Sequence, residues 1–245
     1  MENQDRYVKA LNLDSELEKE YFSKLYVKSE QHKLLEKLLI NEGEEFKNIA
    51  DIACGGGSTS FFLSKIFKNA NFTLIDLNNN ALEIAKKHIS STKFSFYNES
   101  IYDISKFSLY NFDLVICWQT LSWLENPELA IKNVLNVAKS KSKIYISSLF
   151  NLDFDVDIYS KVYDNTRNSG NSGEYLTYNT YSFKTFKTWV QDYVSEIKII
   201  PFNPEIDFNY QGRGLGTFTK KCEDIRIQIS GGYLMNWYIV VLTKK

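Results

Sequence analysis

Two acids and a run of glycines carry the chemistry this sequence offers. Asp51 stands within Ile49-Ala50-Asp51-Ile52-Ala53-Cys54-Gly55-Gly56-Gly57-Ser58-Thr59-Ser60, and Asp76 closes Phe72-Thr73-Leu74-Ile75-Asp76. Apolar residues lead into the glycines and an apolar-periodic stretch follows them, so the order reads strand, turn, helix, with Ser58 expected as the helix cap. Glycine lets the backbone turn sharply and lets a ligand lie against it, since no Cβ intervenes. The helix start adds unpaired N–H groups and positive potential. A carboxylate at the tip of the next strand can accept from two hydroxyls at once, which suits a ribose diol.

These groups need a parallel sheet to hold them. Strands are expected at about 48–53, 72–76, 93–97, 112–118 and 143–149, and helices with apolar inner faces alternate with them. Asn78 and Asn126-Pro127 read as helix starts, and Ser29 opens a helix carrying Leu34, Leu35, Leu38 and Leu39. Beyond Phe150 come a polar stretch, a helix at 182–194, a strand at 196–202 and a hairpin of 225–229 with 233–242 around Ser230-Gly231-Gly232. The expected fold is a Rossmann-like, doubly wound α/β sheet of seven strands, mostly parallel with an antiparallel C-terminal strand. It is expected to form one domain over 1–245: lid helices at 1–28, a cofactor-binding core at 29–150, cap and acceptor insertions at 151–222, and the hairpin at 223–245.

Composition narrows the partners. The net charge is −1 and the lysines are spread along all 245 residues, with no basic stripe of the kind nucleic acid requires. Cys54, Cys117 and Cys222 are odd in number and far apart, which reads as free thiols in a reducing compartment and no metal site. A charged N-terminus without a signal-peptide pattern, and no apolar run of membrane length, point to a cytoplasmic protein.

At Asp51-x-x-Cys54-Gly55-x-Gly57 the chain resembles the class I S-adenosylmethionine-dependent methyltransferases, in their small-molecule branch, over roughly residues 30–150. Ala53 occupies the family's first glycine. The resemblance implies S-adenosylmethionine as cofactor, with S-adenosylhomocysteine as product. It puts the ribose acid on Asp76 followed by Leu77, the adenine-framing element on Glu99-Ser100-Ile101, and the segment after the fourth strand on Cys117-Trp118-Gln119-Thr120. Backbone N–H and C=O groups around Ala53–Gly57 and at the tip of the fourth strand are expected to hold the cofactor's ammonium and carboxylate, with Asp51 in an indirect role. A dinucleotide fingerprint would need a third glycine where Ser60 stands, the Gly-Lys-Ser/Thr of a P-loop is missing, and the Asn-Pro-Pro-aromatic box of amino-group base methylases is replaced by Cys-Trp-Gln-Thr.

The chemistry expected is methyl transfer to a small polar acceptor, foremost O-methylation of a sugar or sugar nucleotide. N-methylation of a small amine and a non-catalytic cofactor-binding role are the alternatives. His32, Gln119 and Trp123 are the candidates for orienting the acceptor, and Tyr21, Tyr178 and Arg213 for binding it; Tyr26 and Lys28 belong to the expected lid. Rings beside amides suit a hydroxylated ring, and arginine suits a phosphate or carboxylate.

Overall fold

The computed structural model describes residues 25–152, 154–163, 175–203, 206–209, 217–223, 225–230, 233–234 and 237–245. Five helices and thirteen strands lie in these segments: α1 (Glu30–Glu42), β1 (Asn48–Ile52), α2 (Ser58–Leu63), β2 (Asn71–Asp76), α3 (Asn79–His88), β3 (Phe94–Asn98), β4 (Phe112–Trp118), α4 (Pro127–Val137), β5 (Ala138–Asn151), the short β6 (Lys161–Val162), β7 (Leu176–Thr177) and β8 (Tyr181–Ser182), α5 (Phe183–Val190), β9 (Val194–Pro201), β10 (Thr217–Cys222), β11 (Ile225–Ser230), β12 (Tyr233–Leu234) and β13 (Trp237–Lys244).

The main sheet runs β3-β2-β1-β4-β5-β13-β9, with β8 paired onto the end of β5. The first five strands are mutually parallel, and β13 lies antiparallel between β5 and β9. Alternate residues of each strand feed the two faces, so strands buried on both sides read as unbroken apolar runs. One face carries Ile49, Leu74, Leu114, Ile116 and Tyr145 under α1, α2 and α3. The other carries Ala50, Ile52, Val115, Cys117 and Ile146 under α4 and α5. Strand order reverses direction of growth at β1 and β4, and their carboxyl ends frame the crevice where such sheets take ligands.

Local chemistry sets the helix starts. Ser29 and His32 form a reciprocal cap on α1, Asn78 accepts from Asn80 and Ala81 N–H at α3, and Asn126 accepts from Leu129 N–H ahead of Pro127 at α4.

Three expectations need correction. Ser58 is the first residue of α2 and not its cap; Gly57 holds that position at φ +76° and offers no side chain. The C-terminal hairpin is divided: β11 pairs with β10 and β12 in a separate three-stranded sheet, while β13 crosses to the main sheet. The main sheet also begins β5 directly at the end of α4, five residues earlier than the apolar run suggested, with Lys141 at φ +63°.

Candidate cofactor and acceptor site

The turn after β1 alternates in backbone sense. Ala53 (φ +57°), Gly55 (φ +53°) and Gly57 (φ +76°) are left-handed, and the residues between them are not. Such alternation curls successive peptide groups into a concavity that favours anions. A Cβ at Gly57 would stand 2.8 Å from Leu74 Cδ2 and 3.1 Å from Ile89 Cδ1, so α2 is seated tightly against β2 and the end of α3. Ala53 adopts the same left-handed backbone despite its Cβ, an arrangement that stores about 1–2 kcal/mol.

Hydrogen bonds fix most of the turn. Cys54 N–H donates to Ile75 C=O, Gly57 N–H to Cys54 C=O, and Gly55 N–H to the Asp76 carboxylate at 2.7 Å. Gly56 N–H has no partner among the described residues. The second Asp76 oxygen accepts from Asn78 N–H at 2.7 Å, so this acid braces the turn against the start of α3. Its pKa is raised by burial, a shift opposed by those two N–H donors.

Asp51 lies beneath the turn, 1% exposed. Ser60 Oγ donates to Asp51 Oδ2 at 2.7 Å, while Oδ1 is enclosed with no partner among the described residues. Burial pushes the Asp51 pKa up to about 6, with the Ser60 bonds pulling down and Asp76 pushing further up. An enclosed carboxylate with one unpaired oxygen leaves a negative potential at the crevice floor. Ser60 is thus a site residue the motif reading used only to reject a dinucleotide.

His32 reaches the same turn from α1. Its Nδ1 accepts from Ser29 N–H at 3.3 Å, which fixes the proton on Nε2, facing Thr59 Oγ1 at 3.3 Å and Ser58 Oγ at 3.4 Å. Burial lowers its pKa to about 4, so the ring is neutral and both nitrogens are engaged. The structure places His32, a candidate for orienting the acceptor, as a tie between α1 and α2. Next to it, Gln31 Oε1 accepts from Ser147 Oγ at 2.9 Å, joining α1 to the tip of β5. Gln31 was passed over because in sequence it reads only as a helix start.

The remaining candidates sort by position. Leu77 is half-buried beyond Asp76. Glu99 pairs with Lys106, Ser100 Oγ caps the following turn by accepting from Tyr102 N–H, and Ile101 is buried in the core. The Cys117 side chain is fully buried on the α4 face, so only its backbone borders the crevice, and burial raises its thiol to about 12. Trp118 packs on the opposite face with Cys54. Gln119 is exposed at φ +54°, its N–H bonded to Ser147 C=O. Trp123 stands 4.4 Å from Tyr178, ring centre to ring centre, in an apolar cluster with Leu149 and Phe202. Asn179, 2% exposed, ties that pair down: its amide donates to Leu124 C=O and Tyr181 OH, and its N–H to Ser122 C=O. Tyr21 and Arg213 lie outside the described residues. Arg226, a second arginine whose charge would suit an acceptor anion, is bonded to Asp207 at 2.8 Å.

Sheet order, glycine turn and strand-tip acid together define a Rossmann-like α/β protein with a crevice at the ends of β1 and β2, where such folds take ligands. The family described as "Methyltransferase domain" matches residues 44–193, which is more than half of the chain, and the chain belongs to it. Among curated relatives, it is 29% identical over 127 residues to the malonyl-[acyl-carrier protein] O-methyltransferase of Priestia megaterium, covering 52% of this chain and 46% of that protein. It is 27% identical over 117 residues to the ubiquinone biosynthesis O-methyltransferase of Coxiella burnetii, covering 47% and 49%. The matches therefore span about half the length of these relatives. The N-methyltransferase NodS of Bradyrhizobium japonicum, solved with S-adenosyl-L-homocysteine, shares the fold with a TM-score of 0.54 at 15% identity, over 88% of this chain and 86% of that one.

Proposed function

We propose that this chain transfers a methyl group from S-adenosylmethionine to a small polar acceptor. The observation that supports it most is an Asp51 oxygen and, in the glycine turn above it, a Gly56 N–H, neither of which has a partner among the described residues. A ligand with an ammonium and a carboxylate on one carbon answers both: the cation takes the potential of Asp51, and the carboxylate takes the free N–H. Asp76 at the tip of β2 would hold the ribose, exchanging its bonds to Gly55 and Asn78 for the diol. Leu77, Ser100 and Ile101 would border the adenine, with Glu99 beside them.

S-adenosylmethionine supplies a methyl group already activated on a sulfonium, and its sulfur departs with the bonding pair when a nucleophile attacks in line. The chain's part is then alignment and exclusion of water. Trp123 and Tyr178 present an aromatic wall beyond the ends of β4 and β5. Such a wall suits the apolar face of a sugar ring, which supports O-methylation of a sugar or sugar nucleotide as the finer reading. N-methylation of a neutral amine is the second reading, favoured by the engagement of both His32 nitrogens, since such an acceptor attacks without a base.

Incubating the protein with radiolabelled S-adenosylmethionine and separate panels of sugars, sugar nucleotides and amines tests both. Label transferred to a hydroxyl supports the first, label on nitrogen the second, and tight cofactor binding with no transfer to any acceptor supports a non-catalytic role.

A further inference from the structure

The glycine turn is gripped from outside by a residue that no part of the cofactor motif contains. Tyr26 lies on the segment before α1. Its hydroxyl donates to Gly56 C=O at 2.8 Å. Its ring stacks on His88, the last residue of α3, with centroids 4.3 Å apart and planes at 19°, and meets Phe61 of α2 edge-on at 5.0 Å. The ring is thus held by the two helices that flank the turn, and the hydroxyl is aimed at one carbonyl.

That carbonyl belongs to the peptide joining Gly56 to Gly57, where the chain passes into α2. A glycine backbone has many nearly equivalent conformations, and a peptide between two glycines is the easiest to flip. The N–H of this same peptide, that of Gly57, donates to Cys54 C=O, and Tyr26 holds its carbonyl, so the peptide is pinned at both polar groups and cannot flip while Tyr26 stays in place. Burial lifts the hydroxyl to about 12, so it stays a donor at every working pH.

We propose that Tyr26 is a positioning residue of the cofactor pocket: by holding the Gly56 carbonyl, it keeps the turn in the shape that leaves Gly56 N–H free for a ligand carboxylate. Tyr26, just ahead of α1, thereby becomes part of the cofactor site. The inference rests on the reading of this crevice as an S-adenosylmethionine site.

Calorimetric titration of wild type and Tyr26→Phe with two probes tests it. S-adenosylhomocysteine carries the amino-acid end; 5′-methylthioadenosine carries the same nucleoside without it. Tyr26→Phe should weaken S-adenosylhomocysteine by about 5- to 10-fold, the scale of one hydrogen bond, and leave methylthioadenosine affinity unchanged. Equal weakening of both probes makes Tyr26 a general structural residue and overturns the proposal. So does an unchanged S-adenosylhomocysteine affinity. A wild type that ignores S-adenosylhomocysteine fails earlier, before any variant is made, and removes the underlying reading together with the proposal.

Discussion

Replacing Asp51 by Asn tests the electrostatics of the crevice floor. The carboxyl titrates at about 6 in the fold instead of 3.8, because it is enclosed with one oxygen unpaired. At pH 6 about half of the unliganded molecules therefore carry a proton there, and at pH 7.5 only about 3% do. A cation bound above should draw the pKa back toward its ordinary value and expel that proton. S-adenosylhomocysteine binding at pH 6 should thus release about half a proton from this group, read calorimetrically from the dependence of binding enthalpy on buffer ionisation. Asp51→Asn should remove that half-proton and weaken binding at pH 7.5 by about 1–3 kcal/mol. Stability should move the other way. A carboxyl raised in the fold binds protons better folded than unfolded between about 3.8 and 6, so its contribution is lost as pH rises through that window. The loss is at most about 3 kcal/mol, two pKa units at 1.36 kcal/mol each. The unliganded variant should therefore melt higher than wild type at pH 7.5. Equal proton release and equal affinity in the two proteins would refute the reasoning.

Other outcomes follow from the same geometry. Gly57→Ala must place a Cβ 2.8 Å from Leu74 Cδ2 at φ +76°, and should destabilise the fold by about 2–4 kcal/mol in urea titration. His32 has its pKa lowered to about 4 from 6.5, so it destabilises the fold as pH falls from 6.5 toward 4; His32→Gln should flatten that part of the pH–stability curve. The same variant should leave the pH dependence of turnover between 6.5 and 9 unchanged, whereas the loss of an inflection there would make His32 a proton acceptor in the reaction. Trp123→Ala should raise the acceptor's KM at least several-fold and leave the S-adenosylhomocysteine Kd within twofold, both from initial-rate and calorimetric measurements.

The sheet was legible because strands buried on both faces leave continuous apolar runs, and because Asn78 and Asn126-Pro127 mark helix starts in the local sequence. Asp51, Gly55, Gly57 and Asp76 could be placed together for the same reason: adjacent parallel strands bring their carboxyl ends side by side. Contacts across long sequence separations left no such trace. Nothing in the order of residues joins Gln31 to Ser147, Tyr26 to Gly56 or Asn179 to Leu124. His32 stands out in sequence by type and by its place at the start of α1, and its bonds to Ser29, Ser58 and Thr59 are visible only in space. The C-terminal hairpin misled because apolar alternation continues through 237–244, while pairing switches from β11 to β5 and β9.

The most direct measurement is a paired calorimetric titration of the unmodified protein with S-adenosylhomocysteine and with NAD. Saturable one-to-one uptake of S-adenosylhomocysteine, with no heat from the dinucleotide, is the predicted result. Uptake of NAD with indifference to S-adenosylhomocysteine would contradict the central claim.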